Sequence, residues 1–249
     1  MQRKGERRRA SPKVLVAAAL AGLVLAGTAV GIATAVGNKS SPPVPTATRG
    51  SLATGLPGAA EVQRLFVGIP QHGNVLGSPR ARATMIEYVD PQCPYCREFE
   101  SAVMPDIIRR FVRTGKLKIE ARTIAFIGQD SLRGRDAALA AGQQGRLFNF
   151  MQLLYFNQGT ENSGWLSSDF VKRVAVSIPG LDVPRLTGAA GSAAVLSQAN
   201  RLEAEATADR VSGTPTVYVG RTGSKPKVVA LQSPDDERTL VTAIQRAGG

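Results

Sequence analysis

Two cysteines, Cys93 and Cys96, are the only thiols of the chain, and they lie three positions apart in the stretch DPQCPYCREFE. Thiols at this spacing can form a disulfide reversibly and can exchange it with another thiol. A structural disulfide that closes so short a loop would contribute only about 2 kcal/mol to stability. A structural zinc site needs four ligands, and the single His72 leaves that set incomplete. The spacing therefore favours redox chemistry and predicts no bound metal.

The residues on either side of the cysteines predict a strand followed by a helix. Residues 83–89 (ATMIEYV) are apolar and β-branched and end at an Asp-Pro pair, which is typical of a strand. Apolar residues then recur at three- and four-residue spacing up to Phe111, which indicates an amphipathic helix with a kink near Pro105. Residues 116–125 alternate as a second strand does. The first strand thus delivers the chain directly to Cys93.

This junction gives the two sulfurs different roles. At a helix N-terminus, backbone N–H groups and the positive end of the helix dipole stabilise the thiolate of Cys93. Pro94 suits the first helical turn because no hydrogen bond is lost there by its missing N–H. Cys96 lies one turn later and can resolve the mixed disulfide that Cys93 forms with another thiol. Cys93 is therefore the predicted nucleophile.

The chain after the second strand is mainly helical. A block without a convincing strand contains five stretches with helical spacing, which are residues 131–143, 147–157, 166–177, 183–190 and 195–211. A two-strand hairpin (216–219 and 227–230) and a closing helix (233–247) follow the block, and a short strand (74–77) precedes residues 83–89. The predicted order is therefore strands, helix, strand, helical block, hairpin and helix.

The first 68 residues predict an anchor and a tether. Residues 1–13 carry six basic side chains against one acid, and residues 14–37 carry no charge. As a helix, the uncharged stretch is about 36 Å long, enough to cross a hydrocarbon core about 30 Å thick. The basic tail stays cytoplasmic, so the rest of the chain faces outward. Residues 38–68, rich in Pro, Ser, Thr and Gly, predict a flexible linker before a domain over residues 69–249.

A cleaved secretory signal is the alternative to an anchor, because Ala33-Thr34-Ala35 resembles a small-residue cleavage site. The uncharged stretch is longer than the core of a signal, which spans about 7 to 15 residues. The length favours an uncleaved transmembrane signal-anchor. Both interpretations export the domain, and disulfides can form and persist outside the cytoplasm.

The charge of the chain does not predict nucleic-acid binding. Lys and Arg exceed Asp and Glu by 31 to 19, a formal net charge of +12, but part of the excess lies in residues 1–13. The remainder is spread without a long basic run or interleaved aromatic residues, which favours solvated surface charge. The hydrophobic content of 43% is enough for a folded core.

The sequence resembles the DsbA-like thiol:disulfide oxidoreductases of the thioredoxin superfamily, and most closely their membrane-anchored or secreted bacterial members. The resemblance rests on MIEYVDPQCPYCREFE at residues 85–100, the kinked helix, the helical block and GTPTVYV at residues 213–219. It covers residues 74–247. It implies an α/β thioredoxin-like fold with an inserted helical domain at about residues 128–211, preceded by the transmembrane helix, and an enzyme without a cofactor.

The resemblance also implies a substrate-binding loop before the hairpin. The Thr214–Pro215 bond is expected to be cis. The loop from Gly213 to Pro215 would then pack against the active site, and the backbone groups of Thr214 would pair with the substrate polypeptide.

Two other positions bear on the predicted chemistry. Glu87 lies where the family commonly has a buried acid, which implies a proton relay to Cys96. The alternative is that strand alternation points Glu87 to solvent. The active-site dipeptide Pro94-Tyr95 departs from the best-known oxidases, whose dipeptide ends in His, so the oxidising strength is open.

The implied function is that of a membrane-tethered, monomeric oxidase. It would donate the Cys93–Cys96 disulfide to unfolded or reduced exported proteins and would be recycled by a quinone-linked thiol oxidase of the membrane. The implied location is the bacterial cell membrane, crossed once, with the catalytic domain extracytoplasmic. An extracytoplasmic reductase or isomerase is an alternative, and a non-catalytic binding protein of the same fold is another.

Overall fold

A six-stranded mixed sheet forms the centre of the computed structural model, which describes residues 48–53 and 55–248. The strands are β1 (Gln71–His72), β2 (Val75–Leu76), β3 (Ala83–Val89), β4 (Leu117–Thr123), β5 (Thr216–Arg221) and β6 (Lys227–Val228). Their order in the sheet is β1-β2-β4-β3-β5-β6, with β3 parallel to β4 and antiparallel to β5. The predicted short strand is confirmed as β2, and the sequence did not indicate β1.

Helices surround this sheet. They are α1 (Ala59–Phe66), α2 (Pro94–Ala102), α3 (Met104–Ile107), α4 (Gln129–Gly142), α5 (Leu147–Phe156), α6 (Ser168–Val176), α7 (Val183–Ala189), α8 (Ala193–Ala208) and α9 (Glu237–Arg246), with a π-helical turn at Ile108–Val112. The five helices α4 to α8 lie between β4 and β5, where the sequence predicted a helical block. We call these five helices and the loops that join them the insertion.

The helix after the cysteines is interrupted where the sequence predicted a kink. Pro105 lacks the N–H that would continue the helical ladder, and α2 ends at Ala102. Val103 keeps helical dihedral angles, with φ −104° and ψ −48°, so α3 follows without a loop. The kink is confirmed, and it falls about two turns after Cys96.

The predicted flexible linker over residues 38–68 is wrong for the part that forms α1. Ala59, Val62 and Phe66 are buried at helical spacing, and the Phe66 ring lies 6.3 Å from that of Phe148 on α5. Residues 48–53 also bond to the insertion, since the Gly50 N–H donates to the Leu181 carbonyl at 2.9 Å. Only three of the eight residues of α1 are large and apolar, which is a weak signal in a segment of so many small and polar residues, so composition alone indicated a tether.

The predicted basic tail (1–13), the predicted transmembrane helix (14–37) and residues 38–47 and 54 of the predicted linker lie outside the described residues. Within the part that is described, none of the helices combines the length and the apolar character needed to span a bilayer.

The core is continuous from the sheet into the insertion, and β3 lies at its centre. Every residue of β3 except Thr84 is buried, because β4 and β5 flank the strand and helices cover the sheet. A strand in this position has no solvent face, so a polar side chain on it is buried as well. This arrangement determines the surroundings of Glu87.

Candidate redox-active site

Cys93 lies where β3 gives way to α2, at the residue that caps the helix. Its backbone is extended, with φ −68° and ψ 119°, and its sulfur accepts a hydrogen bond of 3.3 Å from the Cys96 N–H. Pro94 occupies the first turn, where it has no hydrogen bond to lose. Both cysteines are free thiols and both are buried, Cys93 at 3% and Cys96 at 0% exposure. The predicted placement of both sulfurs is confirmed.

The surroundings of Cys93 lower its pKa to about 6. The hydrogen bond from the Cys96 side chain is the largest cause, and bonds from Thr214 and from the N–H groups of Cys96 and Tyr95 act in the same direction. Burial raises the pKa of Cys93, but by less than the hydrogen bonds lower it. Since a free cysteine has a pKa of about 8.5, Cys93 is mainly a thiolate at neutral pH.

The pKa of Cys96 moves the other way and lies well above its ordinary value. Burial is the main cause, and the hydrogen bond to Cys93 and the charge of Cys93 add to it. Cys96 therefore stays protonated while Cys93 is ionised. This asymmetry matches the predicted roles, with Cys93 as the attacking sulfur and Cys96 as the sulfur behind it.

The loop before β5 closes over the sulfurs. The Thr214–Pro215 bond is cis, as the resemblance implied. The Cys93 sulfur lies 3.2 Å from the Thr214 carbonyl, to which it donates when protonated, and the Gly213 carbonyl accepts from the Thr216 hydroxyl at 2.7 Å. Residues 213–215 are half-buried, so their backbone borders both Cys93 and solvent. The structure thus brings the predicted substrate-binding loop to the predicted nucleophile.

Glu87 is buried at 1% exposure, so the alternative that it points to solvent is wrong. Burial raises its pKa well above the ordinary value, and the charge of Glu100 on α2 raises it further. Burial also raises the pKa of Glu100, to about 8. Two neighbouring buried carboxyls thus lie in the core near the active-site helix. The relay from Glu87 to Cys96 stays a prediction.

Sequence patterns did not indicate Glu100 or Asp90. Glu100 could have been found, because it follows Cys96 by four residues and so lies on the same face of the helix. Asp90 is fully buried at the end of β3. Its carboxylate accepts from the N–H groups of Gln92 (2.7 Å), Phe126 (2.6 Å) and Ile127 (2.9 Å) and from the Ser131 hydroxyl (2.7 Å). Asp90 therefore fixes the loop that leads to Cys93.

The insertion supplies further hydrogen bonds to the same loop. Tyr155 donates to the Asp90 carbonyl at 2.9 Å, and Gln158 donates to the carbonyls of Pro91 and Cys93 at 3.1 and 3.2 Å. Burial raises the pKa of Tyr155 well above its ordinary value. Tyr155 therefore remains a neutral donor beside the sulfurs.

Tyr95 lies at the surface, with 61% of the side chain exposed, and Pro94 beside it is exposed as well. Together they form the outer face of the site that another polypeptide would meet. Over the residues described, no group of three or more His, Cys, Asp and Glu side chains could hold a metal ion.

Comparisons with known proteins point to one group. A thioredoxin family model matches residues 71–238. A Bacillus cereus protein named "probable disulfide bond formation protein D" is 25% identical over 165 residues, which are 65% of this chain and 76% of that protein. The disulfide bond formation protein D of Bacillus subtilis is 26% identical over 150 residues, 58% of this chain and 66% of that protein.

Solved structures share the fold. Oxidised BdbD from Bacillus subtilis has a TM-score of 0.63 at 22% identity and covers 72% of this chain and 96% of its own. Alpha-DsbA1 from Wolbachia pipientis has a TM-score of 0.60 at 18% identity and covers 71% and 90%. The predicted thioredoxin-like fold with a helical insertion is confirmed.

Proposed function

This chain belongs to the thioredoxin family, and from that premise we propose that it is a thiol:disulfide oxidoreductase that donates its Cys93–Cys96 disulfide to reduced exported proteins. The observation that carries the proposal is the low pKa of Cys93, about 6, beside a Cys96 thiol that resists ionisation. A stabilised thiolate favours the reduced form of the pair. The disulfide is then a stronger oxidant than one whose thiols have ordinary pKa values, and Cys93 is a good leaving group.

The reaction conserves sulfurs, protons and electrons. A substrate thiolate attacks the Cys93 sulfur of the disulfide, and the Cys96 sulfur leaves as a thiolate that takes up a proton. The second substrate thiolate then attacks the substrate sulfur of the mixed disulfide, and Cys93 leaves as a thiolate. Two substrate thiols become a disulfide, and the pair Cys93 and Cys96 receives two electrons. Buried acids such as Glu87 and Glu100 would exchange the proton with Cys96.

Recycling needs an oxidant that accepts two electrons from the reduced cysteines. We assign this role to a quinone-linked thiol oxidase of the membrane, which fits the uncharged stretch over residues 14–37 and its basic flank. The domain would then act as a monomer in the extracytoplasmic space, held at the bacterial cell membrane. The names of the Bacillus relatives, which refer to disulfide bond formation, support this direction of electron flow.

The test is oxidation of a reduced, unfolded secreted protein by the full-length chain purified in a neutral detergent. The oxidised chain is expected to introduce disulfides stoichiometrically, as followed by loss of free thiols and regain of substrate activity. Cys96→Ser should trap mixed disulfides on Cys93, and Cys93→Ser should trap none. A chain that instead reduces substrate disulfides would be a reductase or isomerase, and one that exchanges with neither form would be a non-catalytic binding protein.

A further inference from the structure

A groove runs beside the active-site helix, on the side that faces α1 and α5. It has a volume of about 550 Å³ and is walled by α1, by the helix from α2 through the π-helical turn, and by α5. The α2 side contributes Arg97, Ser101, Pro105, Arg109 and Arg113, which follow one another at four-residue spacing along one helical stripe. The groove therefore extends along the helix away from the cysteines.

The groove is continuous with the active-site surface. A second, shallower cavity of about 450 Å³ contains the exposed dipeptide Pro94 and Tyr95 and meets the groove at Arg97 and Ser101. Its lining carries one carboxylate, Glu98. A polypeptide that reacts at Cys93 can thus continue past the dipeptide into the groove.

The charge of the groove is mainly positive. Four arginines line it against one carboxylate, Glu61. Within the part of the chain that the structure describes, Arg64 and Arg97 form no ion pair. Arg109 has one long ion pair, in which its guanidinium nitrogen is 4.0 Å from the Asp106 carboxylate. These guanidinium groups are available to a carboxylate, with which arginine forms strong paired hydrogen bonds.

The other lining groups suit a polypeptide backbone with apolar side chains. Gln152 is buried at 7% exposure and forms the floor of the groove. The Ser101 carbonyl loses its helical partner because residue 105 is proline. That carbonyl is an acceptor for an N–H group of a bound polypeptide. Val62, Leu65 and the half-exposed ring of Phe156 form an apolar wall on the opposite side.

We propose that this groove binds the segment of the substrate polypeptide next to its reacting cysteine and that it selects segments with acidic side chains. The proposal rests on the proposed function, since it names the substrate class of the same site. Selection arises because an acidic segment gains pairing with Arg64, Arg97 and Arg109, whereas a basic segment meets the same charges with repulsion.

The test compares two synthetic dithiol peptides that differ only in flanking Glu or Lys residues. Exchange rates with the full-length chain in neutral detergent are measured in both directions, oxidised chain with reduced peptide and reduced chain with oxidised peptide. We expect the acidic peptide to react about tenfold faster at low salt, with the difference shrinking in 1 M salt. The ratio of the two peptides' exchange rates measures the preference of the groove. The equilibrium between oxidised chain and oxidised peptide measures the direction of oxidation, so the two proposals are tested separately.

The double substitution Arg64→Glu with Arg109→Glu should remove the preference for the acidic peptide. The rate of reaction with the small dithiol dithiothreitol, which is too short to reach the groove, should stay unchanged. Arg64→Lys should retain the preference. The matched control is Arg238→Glu, which changes an arginine of a separate cavity between α9 and the β5–β6 hairpin and should leave the preference intact. Equal rates for both peptides, or a preference that survives the double reversal, would overturn the groove proposal alone. Absence of exchange in either direction would overturn the proposed function as well.

Discussion

The sheet and the insertion meet at the redox site and contribute differently to it. The sheet side supplies the reacting groups, because β3 leads into Cys93 and the loop before β5 places the Thr214 carbonyl 3.2 Å from its sulfur. The insertion supplies no reacting sulfur. Its residues Ser131 and Tyr155 instead bond to Asp90 and hold the loop before the sulfurs in place.

This difference separates chemistry from positioning. Removal of a reacting group should abolish the reaction while leaving the fold intact. A change in the contacts of the insertion should first reduce stability and should affect the reaction only through the position of the loop. The following substitutions test that separation, in order of decreasing expected effect.

Cys93→Ser should abolish exchange, because the hydroxyl that replaces the thiolate is not a nucleophile for disulfides at neutral pH. At pH 5, where Cys93 is protonated in both the folded and the unfolded chain, the free energy of urea unfolding should equal that of the reduced wild-type chain to within about 0.5 kcal/mol, as expected for a near-isosteric change. Measurable exchange by the variant would contradict the assignment of Cys93 as the nucleophile.

Asp90→Ala should lower the free energy of unfolding by about 3 kcal/mol, since it leaves buried N–H groups at the loop without their acceptor. Urea unfolding followed by circular dichroism measures the change. Glu161→Ala is the matched control, because Glu161 is an exposed carboxylate of the insertion and its loss should cost less than about 0.5 kcal/mol. Equal effects of the two substitutions would show that the loop is not fixed by Asp90.

Glu100→Gln should change how stability depends on pH. The pKa of Glu100 is raised to about 8 in the fold, so its protonated form stabilises the chain fully at low pH and that contribution is lost as the pH rises toward 8. Between pH 5 and 7 the difference in unfolding free energy should move in favour of the variant by about 2 to 3 kcal/mol.

Unfolding of the oxidised chain measures this effect, because Cys93 does not titrate in the disulfide. Glu87 is the neighbouring buried carboxyl, and Glu87→Gln should produce a change of the same sign. A difference that does not vary with pH would contradict the shared burial of the two acids.

Tyr155→Phe should have the smallest effect, a loss of about 1 kcal/mol, because it removes one buried hydrogen bond to the Asp90 carbonyl and keeps the ring. Exchange rates should remain within a factor of about two, as a group that only positions the loop would allow. A loss of exchange comparable to that of Cys93→Ser would place Tyr155 among the reacting groups instead.

Local patterns were enough to predict the sheet side of the site. Alternation and β-branched residues indicated β3, and the Cys-Pro junction indicated the start of α2. The cis bond before Pro215 followed from the resemblance. The strand and the helix start depend on neighbours in the chain, so a single sequence contains them.

The contacts of the insertion depend on distant residues and could not be predicted. Asp90 bonds to Phe126 and Ser131, which lie 36 and 41 positions away, so no local pattern marks it. The burial of Glu87 depends on the two strands that flank β3, and alternation alone left its direction open. The short helix α1 was missed because its apolar face is small and gains its stability by packing on α5.

The reduction potential of the Cys93–Cys96 pair tests the central claim most directly. The full-length chain is equilibrated in glutathione buffers of graded composition, and the fraction of disulfide is determined by thiol labelling and mass. Because the Cys93 thiolate is stabilised, we predict a potential above about −200 mV, which is that of a disulfide donor. A value of about −270 mV or lower would contradict the proposed direction of electron flow and identify a reductase.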